Sequence, residues 1–305
     1  MKSELKEQFH VGALSVKTLA LWLVTAGVTG LVCGGVGGVF HFAIDWATAA
    51  RQGNPWLLYL LPVAGLVIVW CYRAWGMEND SGTNQIIASV RSGQRPPLIF
   101  LGTVLTHLTG GSAGREGAAL QIGGSLSAAL GKLFRLDERH ENVMIMCGMS
   151  GLFSALFGTP LTATLFSMEV VSIGIFHYSA FFPCLLSAYV ATGVTRLMGL
   201  APEGYALRGL PKLGPLPLVQ VGVLAVLCAV LSILFCVLMH KTAHLYARFL
   251  PNQYLRAAVG GVLIVLLTLL VGSRDYNGAG GQIIEAAMEG TAVPWAFVLK
   301  WCLPR

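Results

Sequence analysis

The stretch Thr109-Gly-Gly-Ser-Ala-Gly-Arg-Glu-Gly-Ala-Ala-Leu-Gln121 sets an arginine and a glutamate side by side, behind a run of glycines and ahead of a new apolar segment. Charged pairs often mark a helix end at a membrane surface, so the motif alone leaves two readings open: a surface boundary or a site built at a helix break. The surrounding sequence decides how much weight each can carry.

The chain has 305 residues, of which 55% are hydrophobic and 11% charged, with a mean hydropathy of +0.70. A soluble protein would carry about 25% charged residues. Uncharged stretches cover 18–40, 55–72, 97–114, 142–168, 170–195, 213–239 and 257–273. Most approach or exceed the roughly 18 residues that mark a spanning helix, which predicts an all-α polytopic membrane protein. The first 17 residues are polar and mixed in charge, with no small-residue cleavage site after a short apolar core, so Thr18 to Phe40 is expected to stay in the mature chain. The net charge of +6 is spread over short loops at Arg51, Arg73, Arg91, Arg95, Lys132, Arg135 and Arg139. Such a spread fits loop bias or a path attracting anions, and argues against a nucleic-acid tract. The seven cysteines show no CxxC pairing, and all but Cys302 fall in uncharged stretches. Apolar core is their expected role, with neither metal, cofactor nor disulfide indicated.

Two apolar segments, 97–114 and 117–131, are interrupted by glycine clusters and separated only by Arg115 and Glu116. Half-helices meeting at such a break expose backbone groups at membrane depth, which is tolerated only in a cavity lining or inside protein. A weak internal repeat accompanies them. Gly82-Thr-Asn-Gln-Ile-Ile-Ala-Ser-Val-Arg-Ser-Gly93 aligns with Ala279-Gly-Gly-Gln-Ile-Ile-Glu-Ala-Ala-Met-Glu-Gly290 at an offset of 197, and Pro97 and Phe100 then match Pro294 and Phe297. Two related halves with a binding site between them are a transporter pattern. The expected organisation is a cytosolic segment over 1–17, a first transmembrane repeat over 18–200, a linker over 201–216, and the start of a second repeat over 217–305. At that offset the counterpart of Glu116 falls past Arg305, so the second repeat is expected to be incomplete.

Gly110, Gly111 and Gly114 can turn main-chain N–H groups towards one point, and helix entry after them adds unpaired donors and the positive end of a macrodipole. Together these form an anion site that needs no fixed positive side chain. A glutamate there is itself an anion. It can occupy the site when ionised and vacate it when protonated, which links proton uptake to anion entry by competition. Arg115 reads as a surface anchor or ion-pair partner in preference to a residue in the path. Further along, Gly148-Met-Ser-Gly-Leu-Phe-Ser-Ala-Leu-Phe-Gly-Thr-Pro160 contains a second break, which is either another helix N-terminus near Thr159 to Leu161 facing the same path or a tight turn between packed helices. Glu169 sits between two long uncharged stretches, as a proton carrier, a helix-end cap or a partner of Arg196.

These segments resemble the CLC family of chloride channels and proton-coupled anion antiporters. SAGREGAALQIGGSL resembles that family's G(K/R)EGP segment, whose gating glutamate maps to Glu116, and FGTPLTATLFSMEV resembles its FNAPLAG…E segment. The resemblance implies a CLC-type inverted-repeat transporter with broken half-helices, and anion contacts at Met77, Gly114, Arg115, Gly117 and Ala118. The departures are informative. The family's proline after GREG is Ala118 here. Gly76-Met-Glu-Asn-Asp80 stands where chloride transporters carry GSGIP, which puts Met77 at the anion-contacting serine; a shifted alignment would use Ser81 but shortens the distance to Glu116 by four residues. The internal proton-transfer glutamate of chloride exchangers maps to Val170, one residue past Glu169. Methionine for serine and no internal glutamate resemble the fluoride–proton antiporter branch.

That resemblance implies fluoride export against inward-moving protons by a homodimer in the cell membrane, with the lipid bilayer as its surroundings. A chloride channel or Cl−/H+ exchanger of the same fold is the nearest alternative, and Met77 speaks against it. A remote alternative is an intramembrane serine protease, since Gly148-Met-Ser150-Gly matches a GxSG nucleophile motif and His177, His240 and His244 are possible bases. A non-enzymatic transporter is the expected class, and a non-transporting scaffold is the third possibility.

Overall fold

In the computed structural model, the described residues are 2–77, 95–171, 176–202, 204, 214–274, 277–278 and 280–291, with the side chains of 2–15 and 282 outside the description. They form ten α-helices and no strand. In chain order these are α1 (Lys2–Gly53), α2 (Leu61–Ala74), α3 (Pro96–Leu108), α4 (Arg115–Leu133), α5 (Glu138–Phe157), α6 (Pro160–Val171), α7 (Tyr178–Leu197), α8 (Pro215–Phe249), α9 (Gln253–Val271) and α10 (Gly281–Met288). Five helical stretches are long and apolar enough to cross a membrane: Val16–Gly53, Pro55–Ala74, Tyr178–Leu197, Pro215–Phe249 and Gln253–Val271. Pro96–Leu108 and Pro160–Val171 are shorter apolar helices of the half-helix kind. The protein is an all-α, multi-pass membrane protein.

The uncharged stretch 18–40 lies inside α1, which runs on to Gly53. His41 and Asp45 lie one turn apart and pair across 3.2 Å, so a charge inside the helix meets a partner on the same face. The chain forms two compact units by contact. One comprises Met1–Ala47, Gly76–Val104 and Gly114–Glu203; the other comprises Thr48–Trp75, Leu105–Ala113 and Gly204–Arg305.

The first unit is packed backbone to backbone. A Cβ at Gly30 would lie 2.6 Å from the Ser187 carbonyl and one at Gly34 would lie 2.8 Å from Val194 Cβ, so these glycines, one turn apart, let α1 press against α7. Gly123 of α4 and Gly148 of α5 face each other, and a Cβ on either would overlap the other's carbonyl. Membrane helices associate through such small-residue faces because lipid provides no hydrophobic drive between them. Hydroxyls close the remaining gaps: Ser187 Oγ donates to the Cys147 carbonyl at 2.9 Å, and Ser154 and Thr192 share a bond of 2.7 Å. Cys33, Cys147 and Cys184 are buried here as expected.

In the second unit α2 packs on α9, where Gly261 lies so close to Pro62 that a Cβ would come within 2.7 Å of its Cα. α8 buries none of its residues, and Cys228 and Cys236 on it are exposed, which corrects their assignment to apolar core. An apolar stretch in a membrane chain suits lipid as well as protein, and hydropathy alone does not separate the two. The first copy of the internal repeat, Gly82 to Gly93, lies outside the described residues, as do Ser81, Pro294, Phe297, Cys302 and most of the 201–216 segment. Within the second copy, Gly281–Met288 is α10.

Candidate functional site

The glycine-rich stretch divides its labour. Gly110 has a left-handed φ of 86° and ends α3: its N–H donates to the His107 carbonyl at 3.3 Å, and the Gly111 N–H donates to Thr106 at 2.9 Å. This pair of bonds is the Schellman closure of a helix C-terminus. It corrects the expectation that the Gly110 and Gly111 amides turn towards an anion, because both are already bonded to α3. The donors left for an anion are those of the first turn of α4, whose N-cap is Gly114.

Gly114 has an ordinary extended backbone, with φ −73° and ψ 128°, and supplies no side-chain cap. Its value is space. A Cβ at Gly114 would lie 3.2 Å from Glu116 Oε2, so the Glu116 carboxylate is folded back over the start of its own helix. The glutamate is exposed. Helix starts carry a positive partial charge and unpaired N–H groups, which favour a negatively charged group at this point.

The neighbours of Glu116 point elsewhere. Arg115 lays its guanidinium over the Phe157 ring, 5.7 Å from the centroid, which ties the start of α4 to the end of α5. That contact also places the start of α4 within an arginine's reach of the elbow between α5 and α6. There Gly158 is left-handed, with φ 68°, and ends α5 by donating its N–H to Ser154 at 2.8 Å; α6 begins at Pro160. The break is thus a tight turn between two packed helices, and the second of them starts at Pro160. Gly117 is half-buried, and Ala118 is buried with Phe40, Ile44 and Leu152, so its side chain serves the core. Met77 is buried one residue beyond left-handed Gly76, and the described contacts do not join it to Glu116.

Glu169 is exposed in the last turn of α6, and among the described residues no ion pair links it to Arg196. Ser150 is fully buried, donating to the Cys184 carbonyl at 3.2 Å and sharing a bond with Thr164 at 3.3 Å. None of its described hydrogen bonds involves a histidine, and His240 Nδ1 is bonded to the Cys236 carbonyl on its own helix. Ser150 is a packing hydroxyl, and the protease reading has no geometric support.

Comparison with known proteins decides the family. The sequence profile described as voltage gated chloride channel matches residues 64–304. The chain belongs to this family. It is 33% identical to a chloride/fluoride channel protein of Pseudomonas syringae pv. tomato (strain ATCC BAA-871 / DC3000), over 92% of this chain and 65% of that one. It is 28% identical to the H(+)/Cl(-) exchange transporter ClcA of Cronobacter sakazakii (strain ATCC BAA-894), over 53% of this chain and 39% of that one. The chain thus spans about two-thirds or less of the length of these relatives. Among solved structures, a CLC-type fluoride/proton antiporter superposes with a TM-score of 0.85 at 29% identity, covering 93% of this chain and 74% of that one. A slow cyanobacterial Cl-/H+ antiporter superposes with a TM-score of 0.72 at 22% identity, over 92% and 71%, and shares the fold.

Proposed function

We propose that this voltage gated chloride channel family member is a fluoride–proton antiporter element in which Glu116 is both gate and proton acceptor. The observation that carries the reading is the Glu116 carboxylate folded back on the uncapped start of α4, 3.2 Å from where a Gly114 side chain would begin. Ionised, it competes with an anion for the first-turn amides; protonated, it loses that attraction and leaves them to the anion. Fluoride is small and strongly hydrated, so a site for it must replace water with short, good donors, and main-chain N–H groups do this without bulk. The likeness to a fluoride/proton antiporter structure supports fluoride, while the relative named a chloride/fluoride channel protein is compatible with either anion.

On this reading Met77 takes the place of an anion-contacting serine and shapes the constriction or sets the depth of Glu116. Gly114, Gly117 and Ala118 contribute backbone, and Arg115 anchors the helix start. Two repeats, 18–200 and a partner beginning near 217, build the pathway in a homodimer of the cell membrane.

The test is fluoride efflux from proteoliposomes with internal pH followed and chloride as competitor. Fluoride efflux with coupled proton entry is expected, with coupling lost in Glu116→Gln. Chloride flux equal to fluoride flux would replace fluoride export with the chloride alternative, and coupling unchanged in Glu116→Gln would remove the gate assignment.

A further inference from the structure

The end of the second unit where α8 gives way to α9 collects positive charge that the mechanism above does not use. α8 runs for 35 residues, about 52 Å at the helical rise, whereas a hydrocarbon core is about 30 Å thick. The helix is uncharged as far as Met239 and none of its residues is buried, so that part meets lipid tails and the last turns reach the level of the headgroups. There Lys241, His244 and Arg248 follow at spacings of three and four, which puts them on one face of the helix, and all three are exposed. Leu245 and Phe249 are exposed among them.

A three-residue link leads to α9. Its first turn carries no acid, where a helix start ordinarily gains from one, and Arg256 follows there, half-buried. α2 runs antiparallel to α9, with Pro62 against Gly261 and Gly65 against Ala257, and this brings Arg73 over the Tyr254 ring, 6.0 Å from its centroid. Trp75 and Tyr246 belong to the same helix ends, and with Tyr254 they are the residue types that settle at a headgroup boundary. Between Glu203 and Asp275 the sequence holds no acidic residue. Among the described residues no ion pair joins Lys241, Arg248 or Arg256 to a carboxylate. We propose that this end is a docking surface for the headgroup of an anionic phospholipid, its charge met by the Lys241–Arg248 face and by Arg256. A lipid fits better than a soluble polyanion, because its tails continue along the apolar length of α8 and its boundary region covers Leu245 and Phe249.

The proposal does not depend on Glu116 or on the transported ion, and its test reads binding, not flux. Thermal unfolding of the purified chain in detergent is followed as phosphatidylglycerol replaces phosphatidylcholine at constant total lipid and constant salt. A saturable rise in Tm with phosphatidylglycerol is expected. Lys241→Gln and Arg248→Gln, both exposed changes that spare the packing, should each raise the half-saturating phosphatidylglycerol about fivefold, and the double variant more than about tenfold. Arg256→Gln should act in the same direction, and the exposed pair carries the test if this half-buried change does not fold. Lys132→Gln, which removes an exposed cation from the last turn of α4, should leave the response unchanged. An equal shift in Lys132→Gln would reduce the effect to net charge and overturn the proposal. A wild-type response in the double variant would overturn it too, as would an equal rise in Tm with inorganic phosphate alone, which would make the occupant a free anion.

Discussion

Two carboxylates stand at helix starts in the first unit, and they are held in opposite ways. Asp137 is the N-cap of α5: it accepts the His140 N–H at 2.9 Å, and the same oxygen meets the His140 ring. Glu116 lies in the first turn of α4, beyond a glycine cap that offers no side chain, and the described hydrogen bonds include none from an amide to its carboxylate. The cap satisfies an orphan amide and stays put. The folded-back glutamate is near the same kind of amides without being fastened to them. The bonded carboxylate suits a structural role, and the unfastened one suits the gating role proposed for Glu116.

The contrast predicts its largest effect in transport. Glu116→Gln removes the charge proposed to compete with the anion, so proton coupling should vanish while anion flux persists, measured in proteoliposomes. Asp137→Asn keeps an acceptor at a position where asparagine caps as well as aspartate. Its coupling should equal the wild type's. Loss of coupling in both variants would mean that charge at helix starts in general, and not the Glu116 posture, governs the exchange.

The two glycines beside the breaks sharpen the comparison next. Gly158 is conformational: at φ 68° an alanine is strained, and its Cβ would come within 2.8 Å of Pro202 Cα. Gly158→Ala should cost about 1–3 kcal/mol, seen as a lower Tm in detergent. Gly114 has a backbone that any residue adopts, so Gly114→Ala should change stability by no more than about 0.5 kcal/mol. Its methyl would crowd Glu116 Oε2 and push the carboxylate off the helix start, so transport should change more than stability. If Gly114→Ala destabilised as much as Gly158→Ala while leaving transport alone, the space argument at Gly114 would fail.

Several of these features were legible in the sequence, for local reasons. Glycine followed by a charged pair, and glycine followed by threonine and proline, are punctuation that acts within a few residues, and helices do start at Arg115 and Pro160. What the sequence hid depends on which partner each group meets, whether a few residues away or far along the chain. That Gly110 and Gly111 close α3 is a matter of which carbonyls their amides meet. The continuation of α1 to Gly53 carries Asp45 within the helix, where it meets His41 on the same face. The burial of Ser150, which resembled a nucleophile, follows from the approach of α7 through Cys184. The Gly278 N–H meets the Gly110 carbonyl beside the Arg51 side chain, and no local pattern announces that meeting.

The smallest predicted effect lies at the bonded carboxylate and concerns acid. The His140 backbone N–H, then its ring, hold the Asp137 carboxyl below the usual aspartate range. A group whose pKa is lowered by folding contributes stability that is fully present above its unfolded value, near pH 4, and is lost as pH falls through the lower folded value. The α5 cap therefore helps at neutral pH and fades only in strong acid. Tm followed downward from pH 5 should show a modest decline in the wild type, and Asp137→Asn, which cannot titrate, should lack that component while starting slightly lower at neutral pH. A wild-type decline that is unchanged in Asp137→Asn would assign the acid sensitivity to other carboxylates and leave the cap as geometry alone. Because Asp137 is solvent-exposed, water and salt screen the effect, and raising the ionic strength should shrink the difference between the two proteins.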